Sequence, residues 1–224
     1  MQNTKAIYED RKKEIEFYYS IMLELSIGKP TIQTIDNSRF FKILKSNFLL
    51  MLYNIVEACT ISGFLEIYDM LKSEACTYID VIDEISAIWV HTQIEQIYGP
   101  TTLQSTYEAR VQRIINNITE KNPIELTRDS LKVSGNLDAK KIKFLCDKHG
   151  IRYKIKGNGE SLYLVKEKRN SLGHGDVSFT ECARDITISD LDTIKDEVLS
   201  FLRDILDGMQ DYCENKGYRK FKSI

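Results

Sequence analysis

The side chains best suited to chemistry lie together in one octapeptide, residues 168–175, which contains Arg169, Asn170 and His174. An arginine carries a permanent positive charge, and a histidine exchanges a proton near neutral pH. The pair could therefore stabilise a developing anion and transfer a proton in one reaction. On a straight helix, however, five residues leave the Arg169 and His174 side chains roughly 140° apart.

Two glycines beside the histidine offer a way to bring it back toward the arginine. Glycine is the usual residue where a helix ends in a left-handed turn. We therefore predict that the helix containing Arg169 ends near Leu172. Gly173 and Gly175 would then release His174, which turns back toward Arg169 or faces a partner subunit.

The elements around this motif predict an all-α fold. Apolar residues recur at three- and four-residue spacing, which is typical of amphipathic helices. The predicted helices cover residues 6–27, 38–73, 77–98, 103–121, 139–148, 161–172 and 190–215, with N-caps at Asp138, Ser161 and Ser189. The most apolar helix, 38–73, should be the buried centre of the fold. Residues 153–156 alternate in polarity and form either a short strand or an extended connection.

The chain divides after a polar connector. Gly28-Lys29-Pro30 ends the first predicted helix, and residues 31–37 are polar. We therefore expect an N-terminal helical extension, residues 1–37, and one helical domain, residues 38–224.

Composition excludes several classes of protein. The formal net charge is −2, so the chain as a whole gives no signal for nucleic acid. Five cysteines without a CxxC pair indicate reduced thiols rather than disulfides or a zinc site. We expect neither a signal peptide nor a membrane span, because charges interrupt the candidate apolar stretches. The expected location is the cytoplasm.

No metal or cofactor site is expected. His91 and His149 lack metal-ligand spacing such as HExxH. We expect both to be structural rather than catalytic, with His149 in a helix C-terminal turn, where a cation interacts favourably with the helix dipole. Gly157-Asn158-Gly159 lacks the GxxxxGK[ST] pattern of a phosphate-binding loop and is interpreted as a turn.

Set between two helices, the octapeptide resembles the Arg-Asn-x-x-x-His signature of the HEPN superfamily, the higher eukaryote and prokaryote nucleotide-binding domains. Residues 47–57 are similar to the first core helix of the bacterial MAE-type HEPN group, and residues 134–151 to the segment before its motif. The resemblance covers about residues 38–215. It implies a helical bundle that forms a homodimer, with two motifs meeting in a composite site, and a metal-independent endoribonuclease activity.

The residues suit that chemistry, because RNA supplies its own nucleophile in the 2′-hydroxyl. His174 would transfer protons, and Arg169 would stabilise the charge of the phosphorane. Asn170 would either donate to a phosphate oxygen or orient the histidine. Glu57, in the central helix, either pairs with Arg169 and holds it in place or is a partly exposed helix carboxylate.

A basic stretch precedes the motif. Residues 138–170 contain ten basic and four acidic side chains, an excess that suits RNA phosphates. The candidate RNA ligands are Lys154, Lys156, Lys166 and Lys168. The alternative is a solvated face that the acidic C-terminal helix balances.

Three hypotheses for function follow. The leading one is an endoribonuclease that acts on RNA in a toxin–antitoxin or phage-defence role, with an antitoxin or defence-system protein as a partner. The second is a non-catalytic HEPN module that binds RNA, nucleotide or a protein through the same surface. The third is an interaction or immunity protein whose long helices form an assembly surface.

Overall fold

The computed structural model describes residues 1–27, 37–95, 104–133 and 135–220, and these ranges form a helical bundle. Its helices are α1 Gln2–Ile27, α2 Asn37–Ser73, α3 Asp83–Glu95, α4 Gln104–Thr119, α5 Ala139–Lys148, α6 Glu160–His174, α7 Phe179–Cys182 and α8 Ile188–Glu214. A 3₁₀ turn, Arg128–Leu131, precedes α5. The described ranges contain two isolated β-bridges but no strand. The all-α prediction is therefore confirmed.

The central helix is α2, as predicted, because α1, α6, α7 and α8 all pack along it. Its side chains Phe48, Leu52 and Ile55 are completely buried. By length and composition alone, α2 could cross a membrane. However, 56% of its most apolar window is buried within the chain, as expected of the core helix of a bundle.

The first helix shares this core. In α1, Tyr8, Ile15 and Met22 are buried in the same apolar cluster as α2. Near its start, Thr4 donates from its amide and its hydroxyl to the carboxylate of Glu66 in α2, at 3.1 and 2.7 Å. The connector 28–36 lies outside the described residues, so the division of the chain at residue 37 stays a prediction.

The ends of α5 follow the prediction. The Asp138 side chain accepts a hydrogen bond from the amide of Lys141 at 2.9 Å. At the other end, Gly150 has a φ of 71°, and the amide of Ile151 donates back to the carbonyl of Cys146 at 2.9 Å. Both ends therefore use the local chemistry of the cap residues.

Two other predicted caps are wrong. Gly159, with a φ of 79°, precedes α6, and Ser161 lies inside the helix with its hydroxyl bonded to Glu197 of α8. A Cβ at Gly159 would lie 2.5 Å from the Cβ of Ala139, so the close approach of α5 and α6 requires glycine there. At α8 the cap is Thr187 rather than Ser189.

Local side-chain bonds explain two more differences. The amide and hydroxyl of Thr77 both donate to Asp80, which forms a turn and delays the start of α3 to Asp83. In the predicted loop after the motif, Ser178 and Glu181 form a capping box that begins the short α7.

The segment at residues 151–155 is an extended connection rather than a strand. Within the described ranges, no strand pairs with it. It packs against α8 at Gly208, where a Cβ would lie 2.5 Å from the carbonyl oxygen of Arg152.

A buried histidine links three helices. His149 Nδ1 donates to the carbonyl of Leu145 at 2.7 Å, so its Nε2 accepts from the Tyr68 hydroxyl, also at 2.7 Å. The Tyr212 hydroxyl donates to the His149 carbonyl at 2.8 Å. Burial lowers the pKa of His149 to about 4. The side chain is therefore neutral near pH 7, and its predicted role as a cation at the helix terminus is wrong.

This histidine predicts a pH-dependent stability. Its pKa is about 4 in the folded chain against an ordinary value of 6.5, so the unfolded chain binds more protons between these values. The free energy of unfolding should fall as the pH drops from about 6.5 to about 4, by up to about 3 kcal/mol from this residue. Urea titrations across that range measure the loss.

The matched variants are His149→Gln, which should lose this part of the pH dependence, and His174→Gln, which removes an exposed imidazole and should retain it. The same slope in the wild type and His149→Gln would contradict the assignment.

Candidate active site

The motif lies in the last turns of α6, which continues through His174. Gly175, with a φ of 77°, ends the helix, and the amide of Asp176 donates back to the Ser171 carbonyl at 2.9 Å. The predicted break at Gly173 is therefore wrong. The second glycine, not the first, takes the left-handed conformation, and Gly173 is an exposed residue within the helix.

Because α6 stays helical, the two reactive side chains diverge by roughly 140°. Arg169 is half-buried, whereas His174 is exposed at the helix end. Asn170, four residues before His174, lies on the same side of the helix as the histidine. In the part of the chain that the structure describes, no hydrogen bond joins Arg169 to His174. One copy thus does not bring them together.

Arg169 instead lies over an aromatic ring of α2. Its guanidinium carbon is 4.8 Å from the ring centre of Tyr53, which is 3% exposed. Burial raises the pKa of Tyr53, so its hydroxyl stays protonated. That hydroxyl donates to the carbonyl of Gly135 and accepts from the amide of Leu137 at 3.3 Å. In the sequence, Tyr53 is one more large side chain on the central helix, and no spacing marks it as part of a site.

The loop that Tyr53 holds also contacts the carboxamide of the motif. Asn170 donates from Nδ2 to Oδ1 of Asn136 at 2.8 Å and accepts from Nη1 of Arg169 at 3.0 Å. The Asn170 side chain therefore contacts the guanidinium of its neighbour rather than His174, and it joins α6 to the loop.

Glu57 lies one helical turn after Tyr53. A Cβ built on Gly135, whose φ is 71°, would lie 3.6 Å from Arg169 Nη2 and 4.0 Å from Glu57 Oε1. Glu57 and Arg169, both among the described residues, thus lie on either side of this glycine without forming an ion pair within 4.0 Å, and the pairing of the two stays a prediction. A side chain at Gly135 would be strained by the left-handed backbone conformation, so glycine suits this position although a Cβ would make only ordinary contacts there.

The four candidate RNA lysines lie in two parts of the chain. Lys166 and Lys168 belong to α6 with the motif. Lys166 is engaged by Asp138 at 2.8 Å and by Glu167 at 3.4 Å, and its hydrogen bond to Asp138 raises its pKa.

Lys154 and Lys156 line a groove of about 1140 Å³ between the extended segment and α8. The same groove contains five acidic side chains: Glu84, Asp147, Asp204, Asp207 and Asp211. The amide of Lys156 itself donates to Asp204 at 3.1 Å. At this surface, acidic side chains of α8 balance the positive charge of the lysines. This matches the alternative interpretation of the basic stretch as a solvated face.

The thiols are not reactive groups of the site, although Cys182 Sγ donates to the backbone carbonyl of Lys168 at 3.8 Å. All five cysteines are buried and unpaired, and burial raises the pKa of Cys59 and of Cys146 to about 12. Among the described residues, no group of three His, Cys, Asp or Glu side chains could hold a metal ion.

The contacts of Tyr53 predict that its hydroxyl stabilises the site. Tyr53→Phe keeps the ring beneath Arg169 but leaves the Gly135 carbonyl and the Leu137 amide without their partner. The free energy of unfolding should fall by about 1–3 kcal/mol. Tyr163→Phe, at a side chain that is 57% exposed, should change it by less than about 0.5 kcal/mol. Urea titrations that give equal effects for both variants would contradict the role of Tyr53 as an anchor.

Comparison with known proteins identifies the fold that carries this site. The model of the MAE_28990-like HEPN family matches residues 6–218, from within α1 to beyond the end of α8. No curated protein and no solved structure matches the chain. Because the match spans nearly the whole chain and the bundle is all-α, the chain belongs to the HEPN superfamily, in the MAE_28990-like HEPN family.

Proposed function

We propose that this HEPN protein is a metal-independent endoribonuclease whose active site needs two copies of the chain. The observation that carries the proposal is the divergence of Arg169 and His174 on one unbroken helix. A cation and a proton-transfer group that act on one phosphate must converge on it. In a two-fold homodimer, the exposed end of α6 from one copy can approach the Arg169 surface of the other.

The proposed reaction is a transesterification within the RNA strand. The 2′-oxygen attacks the adjacent phosphorus as its proton is taken up, and the bond to the 5′-oxygen breaks as that oxygen is protonated. His174 serves these proton transfers, while Arg169 stabilises the extra negative charge of the phosphorane. Asn170 orients the guanidinium. The products are a 2′,3′-cyclic phosphate and a 5′-hydroxyl, and no step requires a metal ion.

The proposed setting is cytoplasmic, within a toxin–antitoxin or phage-defence system. The unpaired cysteines support a reducing compartment. A nuclease of this kind needs a partner that restrains it, and an antitoxin or another defence protein would fill that role by covering the exposed end of α6.

A second candidate function is a non-catalytic module that binds RNA, nucleotide or a protein partner. The contacts of Arg169 with Tyr53 and Asn170 favour this alternative. A guanidinium that two partners hold in one position can bind a ligand without taking part in a reaction. RNA binding without cleavage over long incubations would select it.

Loss of either reactive group should abolish cleavage. Arg169→Ala and His174→Ala should each lower the rate on total RNA and tRNA by at least about 100-fold, with the helical signal in circular dichroism unchanged. His91→Ala, at an exposed histidine of α3, should retain activity, and EDTA should not inhibit. Analysis of the cut ends should find the cyclic phosphate. Undiminished cleavage by purified His174→Ala would refute the mechanism.

The composite site predicts that two inactive variants restore each other. A dimer of one Arg169→Ala copy and one His174→Ala copy keeps one intact pair of Arg169 and His174. Random exchange makes about half of the dimers mixed, so activity should return to roughly a quarter of the wild-type value. Light scattering must find dimers in the mixture. No recovery in verified mixed dimers would place both groups in the same copy, against the proposal.

A further inference from the structure

A shallow pocket of about 460 Å³ lies on α5, apart from the motif helix. One of its walls is a face of α5 that contains Lys140, Lys143 and Phe144. Across from it stand Tyr153 and Asn158, from the segment between α5 and α6. Since residues four positions apart lie side by side on a helix, Lys140 lies beside Phe144.

Phe144 is the unusual member of this pocket. Its side chain is 54% exposed, although burial of a phenylalanine is worth about 1.5–3 kcal/mol. The ammonium of Lys141 lies 5.1 Å from the centre of the ring. An exposed flat ring among lysines offers a stacking surface together with positive charge.

The charges of the pocket favour an anionic ligand. Lys140 is exposed, so its ammonium group is available. The ammonium group of Lys143 lies 5.8 Å from the centre of the Phe201 ring and donates to the Asn158 carbonyl at 3.5 Å, and neither contact is with an acidic side chain. The one acidic residue of the pocket is Asp147, which is exposed, so the two lysines leave an excess of positive charge.

We propose that this pocket binds an unpaired base of single-stranded RNA, with the base against Phe144 and the adjoining phosphates on Lys140 and Lys143. Every base has a flat face, so the contact tolerates many sequences. An acidic peptide would satisfy the lysines but not the ring, and an RNA duplex keeps its bases stacked inside. The inference rests on the proposed function, since it names a place that holds the strand outside the cleavage centre.

The test is a binding titration by fluorescence anisotropy. The full chain with His174→Ala is titrated into a labelled, unstructured RNA of 12 nucleotides. Adding Phe144→Ala should weaken binding by about 5- to 100-fold, the value of one lost base–aromatic stack. Phe144→Trp should stay within about twofold, because tryptophan keeps a stacking surface. Phe17→Ala, at a phenylalanine of α1 that is 68% exposed, is the matched control and should also stay within about twofold.

Three results would overturn the inference: equal affinity with and without Phe144→Ala, an equal loss on a duplex of the same length, or tighter binding of a free mononucleotide than of the strand. Replacing Lys140 and Lys143 by glutamate should weaken binding and flatten its salt dependence.

Cleavage by the wild type is measured separately, so the two proposals can fail independently. Binding through Phe144 without cleavage would refute the nuclease proposal and support the pocket proposal. Cleavage with unchanged binding by Phe144→Ala would refute only the pocket proposal.

Discussion

The site depends on one buried side chain, Tyr53, which joins three parts of the chain. Its ring supports the guanidinium of Arg169, and its hydroxyl bonds to the backbone at Gly135 and Leu137. A cation over an aromatic face is attracted more strongly as water is excluded, and the ring is almost fully buried. The position of the arginine is therefore set by the core helix α2 and the loop before α5, not by α6 alone.

The same helix also holds the chain that follows the motif. Lys45, which is 6% exposed, donates from Nζ to the carbonyls of Arg184 and Ile186. The neighbouring Ser46 donates to the carbonyl of Phe179 at 2.6 Å. A buried ammonium needs such partners because an unpaired charge in the core is costly. Through these bonds α2 holds the segment between α6 and α8 in place.

Periodicity and cap chemistry predicted most of the bundle because they are local. The central helix and the Asp138 cap needed only neighbouring residues to be recognised. Two of the failures depend on contacts distant in sequence. Gly159 precedes α6 because Ala139 packs against it, and Tyr53 belongs to the site because the loop at residue 135 folds onto it. The sequence also does not show which of the two glycines takes the left-handed conformation that ends α6, and the structure places it at Gly175.

The contrast between the two motif residues has a consequence for control of the proposed nuclease. Arg169 is held in place within each folded chain, so a copy on its own has a positioned cation. His174 lies at an exposed helix end, and only a second copy would bring it to the arginine of the first. Formation of the dimer would then complete the site, and the fraction of chains in complete sites would rise with protein concentration. A restraining partner would not need to reach the half-buried arginine, since occupying the surface around His174 would prevent the site from forming.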